Sequence, residues 1–92
     1  MVRVWAKKMR KSHILEDYVA QNDRTEEDFY TRLEDSMEEM CHTMDLPKPI
    51  WLDSNYDELN RFRKTSFRQD HFIEQIAFDY LEIEIIEMDD DE

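Results

Sequence analysis

The chain reads as an α+β domain, a three-stranded antiparallel or mixed sheet packed by one long helix. Three observations lead there. VRVWAKKM near the start and YLEIEIIE near the end alternate apolar and polar side chains, the period of a half-buried strand. Between them a stretch repeats apolar residues every three or four positions, the period of an amphipathic helix. Ninety-two residues, 40% of them hydrophobic and eleven aromatic, suffice for one core and not two. Residues 1–88 are accordingly read as a single domain, and the acidic run 89–92, which has no apolar partner, as a mobile tail.

The first strand spans residues 2–9, with Val2, Val4 and Ala6 on one face and Arg3, Trp5 and Lys7 on the other. A polar turn then leads into a second strand over 14–21, making a hairpin. Thr25 followed by Glu26, Glu27 and Asp28 places a hydroxyl cap before three acids, where a helix N-terminus is positive, and predicts a helix over 26–44. Phe29, Leu33, Met37, Met40 or Cys41, and Met44 form its buried stripe, and Pro47 stops it. Pro47 and Pro49 force extended backbone, after which Asp53 or Ser54 caps a short helix over about 55–63. KTSFRQDHF is read as a loop with a helical turn near Asp70. The last strand runs over 77–87, with Leu81, Ile83 and Ile85 toward the core and Glu82 and Glu84 on the opposite face.

The absence of glycine excludes more chemistry than any residue present implies. Phosphate-cradling loops, dinucleotide fingerprints, nucleophile elbows and calcium loops need backbone conformations open mainly to glycine. Left-handed turn positions are expected instead at Asn22, Asp23, Asn55 and Asn60. One cysteine, Cys41, cannot make an internal disulfide, and the early basic residues interrupt any signal-type apolar stretch. The expectation is a cytoplasmic protein, and no apolar run is long enough to span a bilayer.

Charge is arranged in blocks. Residues 1–13 hold five bases and no acid, 14–45 eleven acids against two bases, 61–71 four bases against one acid, and 72–92 nine acids alone. The net charge of −12 exceeds the magnitude of about 2 to 8 that solubility asks of a small domain. It also disfavours sequence-independent binding to phosphate backbones.

Catalytic and metal chemistry find little footing. Cys41 and His42 are helix neighbours pointing about 100° apart, a poor nucleophile and base pair. Glu38 and His42 stand at i and i+4, a spacing that suits two ligands of one metal, with His13 or His71 as distant thirds; acidic helices produce such pairs by chance. Asp70 and His71 lack a partner nucleophile, and Asp53, Glu58 and Lys64 only loosely match a nuclease cluster. The reading is a protein that is not an enzyme and carries no metal or cofactor.

Two charged surfaces remain. Glu27, Glu34, Asp35, Glu38 and Glu39 follow two flanks of the long helix, and Glu82 and Glu84 follow the last strand; together they form rows of carboxylates suited to a basic groove. The alternative uses the basic blocks 3–11 and 61–68, with Trp5, Lys8, Arg10, Arg61, Arg63 and Lys64 holding RNA or single-stranded DNA by stacking and charge. A third reading is a structural module whose exposed Trp5, Trp51 or strand edge pairs with another chain, a second copy included.

At VRVWAKKM, PIWLDSN and FDYLEIEIIE the chain resembles a family of short acidic bacterial proteins of uncharacterised activity, a likeness that implies no functional residue. In size, acidity and want of catalytic signatures it is similar in type to small inhibitors carried by phages and mobile elements, anti-CRISPR proteins among them. The combined expectation is a non-catalytic, acidic protein-binding module that mimics nucleic acid and docks on the basic groove of a DNA- or RNA-handling protein.

Overall fold

Strand β1 (Val2–Arg10) buries Val2, Val4 and Ala6 completely and turns Arg3 and Trp5 to the other side, as its alternation requires. In the computed structural model, which describes residues 1–24 and 26–88, it is followed by β2 (His13–Asn22), α1 (Phe29–Thr43), α2 (Asp53–Phe62), β3 (Lys64–Phe67), a single 3₁₀ turn (Gln69–His71) and β4 (Tyr80–Glu87). The sheet has four strands rather than the expected three, in the order β2-β1-β4-β3, and every neighbouring pair is antiparallel.

The added strand is β3, drawn from the stretch expected to be a loop. Four residues give too short a period to recognise, yet Thr65 and Phe67 pair with Ile83 and Leu81 and are buried with them. This makes β4 an interior strand, with β1 on one side and β3 on the other. β4 itself starts at Tyr80 instead of residue 77; the preceding Asp79 donates its amide to the Met9 carbonyl at 2.8 Å.

Two register shifts bend the sheet. Between β1 and β2, Lys8 pairs with Glu16 and Met9 with Ile14, so Leu15 is the extra residue. Between β1 and β4, Arg3 pairs with Glu87 and Val4 with Ile85, so Ile86 is the extra one, and it is exposed.

Helix α1 is shorter than the expected 26–44. Its N-cap is Asp28, whose carboxylate accepts the Thr31 amide at 2.8 Å, so the three acids of the motif precede the helix instead of filling its first turn. Thr25, the expected cap, and residues 89–92, the expected tail, lie outside the described residues. The stripe of Leu33, Met37, Met40, Cys41 and Met44 is buried as its spacing predicts. Arg32 is buried beside it, donating to the Asn22 carbonyl at 2.8 Å and tying α1 to the end of β2.

Helix α2 begins at Asp53, with Leu52 in the N-cap position rather than Asp53 or Ser54. The Leu52 amide is held by Asn55 Oδ1 at 2.9 Å. Asn55, fully buried, also donates to Thr65 Oγ1 at 2.8 Å, and Thr65 donates to Glu58 at 2.6 Å, so α2 is stitched to β3.

Left-handed backbone occurs at Lys11, Ser12, Asp45 and Arg63, at none of the four asparagine and aspartate positions expected. Lys11 and Ser12, both at positive φ, turn the β1–β2 hairpin, and the Lys11 amide is held by Asp79 Oδ2 at 2.8 Å. Asp45 closes α1, with the Leu46 amide reaching back to the Cys41 carbonyl at 2.8 Å and the Asp45 amide to His42, a Schellman ending. Arg63 caps α2 and turns it directly into β3.

Both helices pack on one face of the sheet, α1 over β1 and β2 and α2 beside β3, around a core that includes Leu33, Met40, Leu59, Phe67, Leu81 and Ile83. The opposite face carries Asp17, Lys7, Glu82 and Ser66 in one register row and Val19, Trp5, Glu84 and Lys64 in the next. No helix among the described residues is long and apolar enough to cross a membrane.

Candidate docking surface

The register separates the two acidic rows that the sequence joined. Ile83 and Ile85 face the helices, so Glu82 and Glu84 lie on the side of the sheet away from α1, and no single face displays both rows.

The β4 row is internally matched. Lys7 Nζ lies 3.0 Å from Glu84 Oε1 and 3.6 Å from Glu82 Oε2, and Lys64 Nζ reaches Glu82 from the other neighbouring strand at 3.9 Å. Lys7 is only 9% exposed, its ammonium lying 3.9 Å over the Trp5 ring. Farther along, Arg3 meets Glu87 at 3.3 Å. Each carboxylate on this interior strand has cations on the strands beside it, the cross-strand pairing that stabilises sheets.

The α1 row is different. Glu34, Glu38 and Glu39 are exposed and Asp35 is half-buried. Glu34 and Glu38 border the strap 46–52 that joins the helices, whereas Asp35 and Glu39 face β2. Their partners are sparse and solvent-screened: Lys48 is 3.5 Å from Glu38, and Arg24 is shared between Asp35 at 3.4 Å and Glu27 at 3.6 Å. Glu39 accepts a hydrogen bond from the Tyr18 hydroxyl, which with partial burial raises that phenol above its ordinary pKa. Among the described residues no cation pairs with Glu34.

The basic blocks do converge, since Lys7 and Lys64 flank the same glutamate, but their cations are engaged at home. Lys8 pairs with Glu16 at 2.9 Å, Arg61 with Asp57 at 3.3 Å, and Arg10 donates to the Ala77 carbonyl. Trp5 donates its indole N–H to Asp17 at 2.8 Å. Arg63 occupies the turn between α2 and β3.

Other chemistry-bearing residues have structural surroundings. Cys41 is buried, and burial pushes its thiol above the ordinary range, opposite to what a nucleophile needs. Among the described residues no three His, Cys, Asp or Glu side chains gather as metal ligands. His71 Nδ1 accepts the Arg68 amide at 3.1 Å and closes the 3₁₀ turn, with its ring edge-on to Phe67.

Sequence reasoning passed over one further feature. Tyr30, Trp51 and Tyr56, from α1, the strap and α2, form a continuous aromatic wall beside Glu34. Its signal was the spacing of Tyr30, Leu33, Glu34 and Met37, one stripe of a helix, together with a tryptophan held by two prolines. No protein-family model, curated protein or solved structure matches the chain.

Proposed function

We propose that this is a non-catalytic, acidic binding module that docks the outer face of α1 on a basic protein surface, mimicking nucleic acid and blocking a DNA- or RNA-handling protein. One observation carries the reading: carboxylates recur along the outer face of α1 with few cations near them, on a chain of net charge −12. Glu34 and Glu38 are about 6 Å apart along the helix axis, a row held by a rigid element rather than by a loop. Like charges at i and i+4 destabilise a helix by about 0.2–0.5 kcal/mol per pair, and a cationic partner removes that penalty. Glu82 and Glu84 are assigned to the sheet's own cohesion, and the docking surface narrows to Glu34, Asp35, Glu38 and Glu39, with Glu27 at its end. Direct nucleic-acid binding is disfavoured by the engagement of Lys7, Lys8, Arg10 and Lys64 with internal partners.

The test is affinity capture on the immobilised protein at low and high salt, with competition by single-stranded DNA or RNA. Partners that handle nucleic acid should be retained at low salt, released by competitor, and lost when Glu34, Asp35, Glu38 and Glu39 are all changed to lysine. Retention by that variant equal to the unaltered protein removes α1 as the docking surface.

A second reading has its own observation. β2 is a ten-residue edge strand with Ile14, Leu15 and Val19 exposed, an invitation to pair with another chain. Light scattering distinguishes a monomer from such an assembly.

A further inference from the structure

A cleft opens between α1 and the strap. Leu33 and Met37 make its apolar floor, both almost wholly buried, and Trp51 and Tyr56 line its wall as stacked rings 4.8 Å apart. Tyr30 stands 6.0 Å from Tyr56 with its plane turned by 70°, so the rings present surfaces in different directions. Trp51 is fixed by an edge contact of 4.9 Å with the core residue Phe67, and Pro47 and Pro49 stiffen the strap leading to it. The volume, about 250 Å³, lies below the range of about 300–1,000 Å³ that holds drug-sized ligands. It suits a single inserted side chain.

Charge says which kind. Glu34 lines the cleft, and among the described residues no cation pairs with it. Lys48 is also at the rim, with its ammonium directed to Glu38 at 3.5 Å. Aromatic faces attract a cation through their quadrupole, and a carboxylate at the mouth supplies the counter-charge. A planar guanidinium stacks on such rings and donates two parallel N–H bonds to one carboxylate, which a compact ammonium cannot do.

We propose that the cleft formed by Tyr30, Trp51 and Tyr56 with Glu34 receives an arginine side chain of the basic partner, as the anchor of the docking surface. This rests on the reading of α1 as that surface and adds an identified pocket to it. The exposed row steers approach and tolerates any cation, whereas the cleft discriminates arginine from lysine.

The experiment uses the full chain labelled with nitrogen-15 and an acetylated tetra-arginine peptide at low salt, with tetra-lysine as comparison. Expected are a shift of the Trp51 indole signal while that of Trp5 stays in place, and weaker binding of tetra-lysine. Tyr30→Ala and Glu34→Gln are each expected to weaken tetra-arginine by about three- to tenfold. Tyr30 is half exposed and Glu34→Gln is isosteric, so both variants should fold, and their amide spectra verify it. If amides around Asp35, Glu38 and Glu39 respond while Trp51 does not, or if both variants bind like the unaltered protein, the cleft is overturned and the acidic row stands. If neither peptide perturbs any residue of α1, both proposals fall together.

Discussion

Two rows of glutamates, one on a helix and one on a strand, behave as different objects in this molecule. Glu82 and Glu84 sit on an interior strand, where Lys7 reaches both and Lys64 reaches Glu82 from the other side, and Glu82 keeps 17% of its side chain exposed. Glu34 and Glu38 sit on the outer surface of a helix, where Glu38 keeps 66% of its side chain exposed and meets the ammonium of a lysine that is itself half exposed. A strand has partners in register on both sides, while the outer surface of a helix has beside it only its own turns and whatever side chains reach over from neighbouring segments. Acidity therefore acts as mortar in one row and as display in the other.

The largest expected effect tests the mortar. Lys7→Ala should lower stability by about 1–3 kcal/mol in urea unfolding, because it strips the shared cation from two partly buried glutamates. A loss below about 0.5 kcal/mol would mean that the two rows are alike after all. The display row should respond in the opposite sense. Glu34→Gln with Glu38→Gln should leave stability unchanged or raise it by about 0.2–0.5 kcal/mol at low salt, with the gain shrinking as salt is added. A clear destabilisation would assign these groups to the scaffold.

The smallest effect concerns the edge between the rows. The Glu39 carboxylate accepting from Tyr18, with partial burial, holds that phenol above its ordinary value of 10.0. The folded state thus favours the neutral phenol. Its contribution is fully present below pH 10 and fades as the pH rises through the elevated folded value. Tyr18→Phe should flatten this alkaline limb in melting curves recorded against pH, and an unaltered limb would place the titration elsewhere.

Periodicity made much of this legible. Alternation placed Val2, Val4 and Ala6 and later Leu81, Ile83 and Ile85 in the core, and the three-four spacing placed Leu33, Met37, Met40 and Met44 against them. β3 escaped because Thr65 and Phe67 are only two alternating positions, too few to separate a strand from a loop. That one omission hid the pairing of Glu82 with Lys64 and the interior place of β4. Turn chemistry misled at Lys11 and Arg63 because a carboxylate and a helix end, respectively, hold conformations that local preference assigns to Asn, Asp or Gly. The aromatic cleft was legible only in fragments, since Tyr30, Trp51 and Tyr56 belong to three segments that packing alone brings together.

The interior position of β4 also shapes how the chain reaches its fold. Lys7 and Glu84 are 77 positions apart, so one side of β1 stays unpaired until β4 has been made. Once made, β4 carries the apolar residues Leu81, Ile83, Ile85 and Ile86, a hazard for aggregation until it pairs between β1 and β3. Charges set between apolar strand residues are the general defence against such pairing, and Glu82 and Glu84 stand in those positions before Lys7 and Lys64 of the finished sheet receive them.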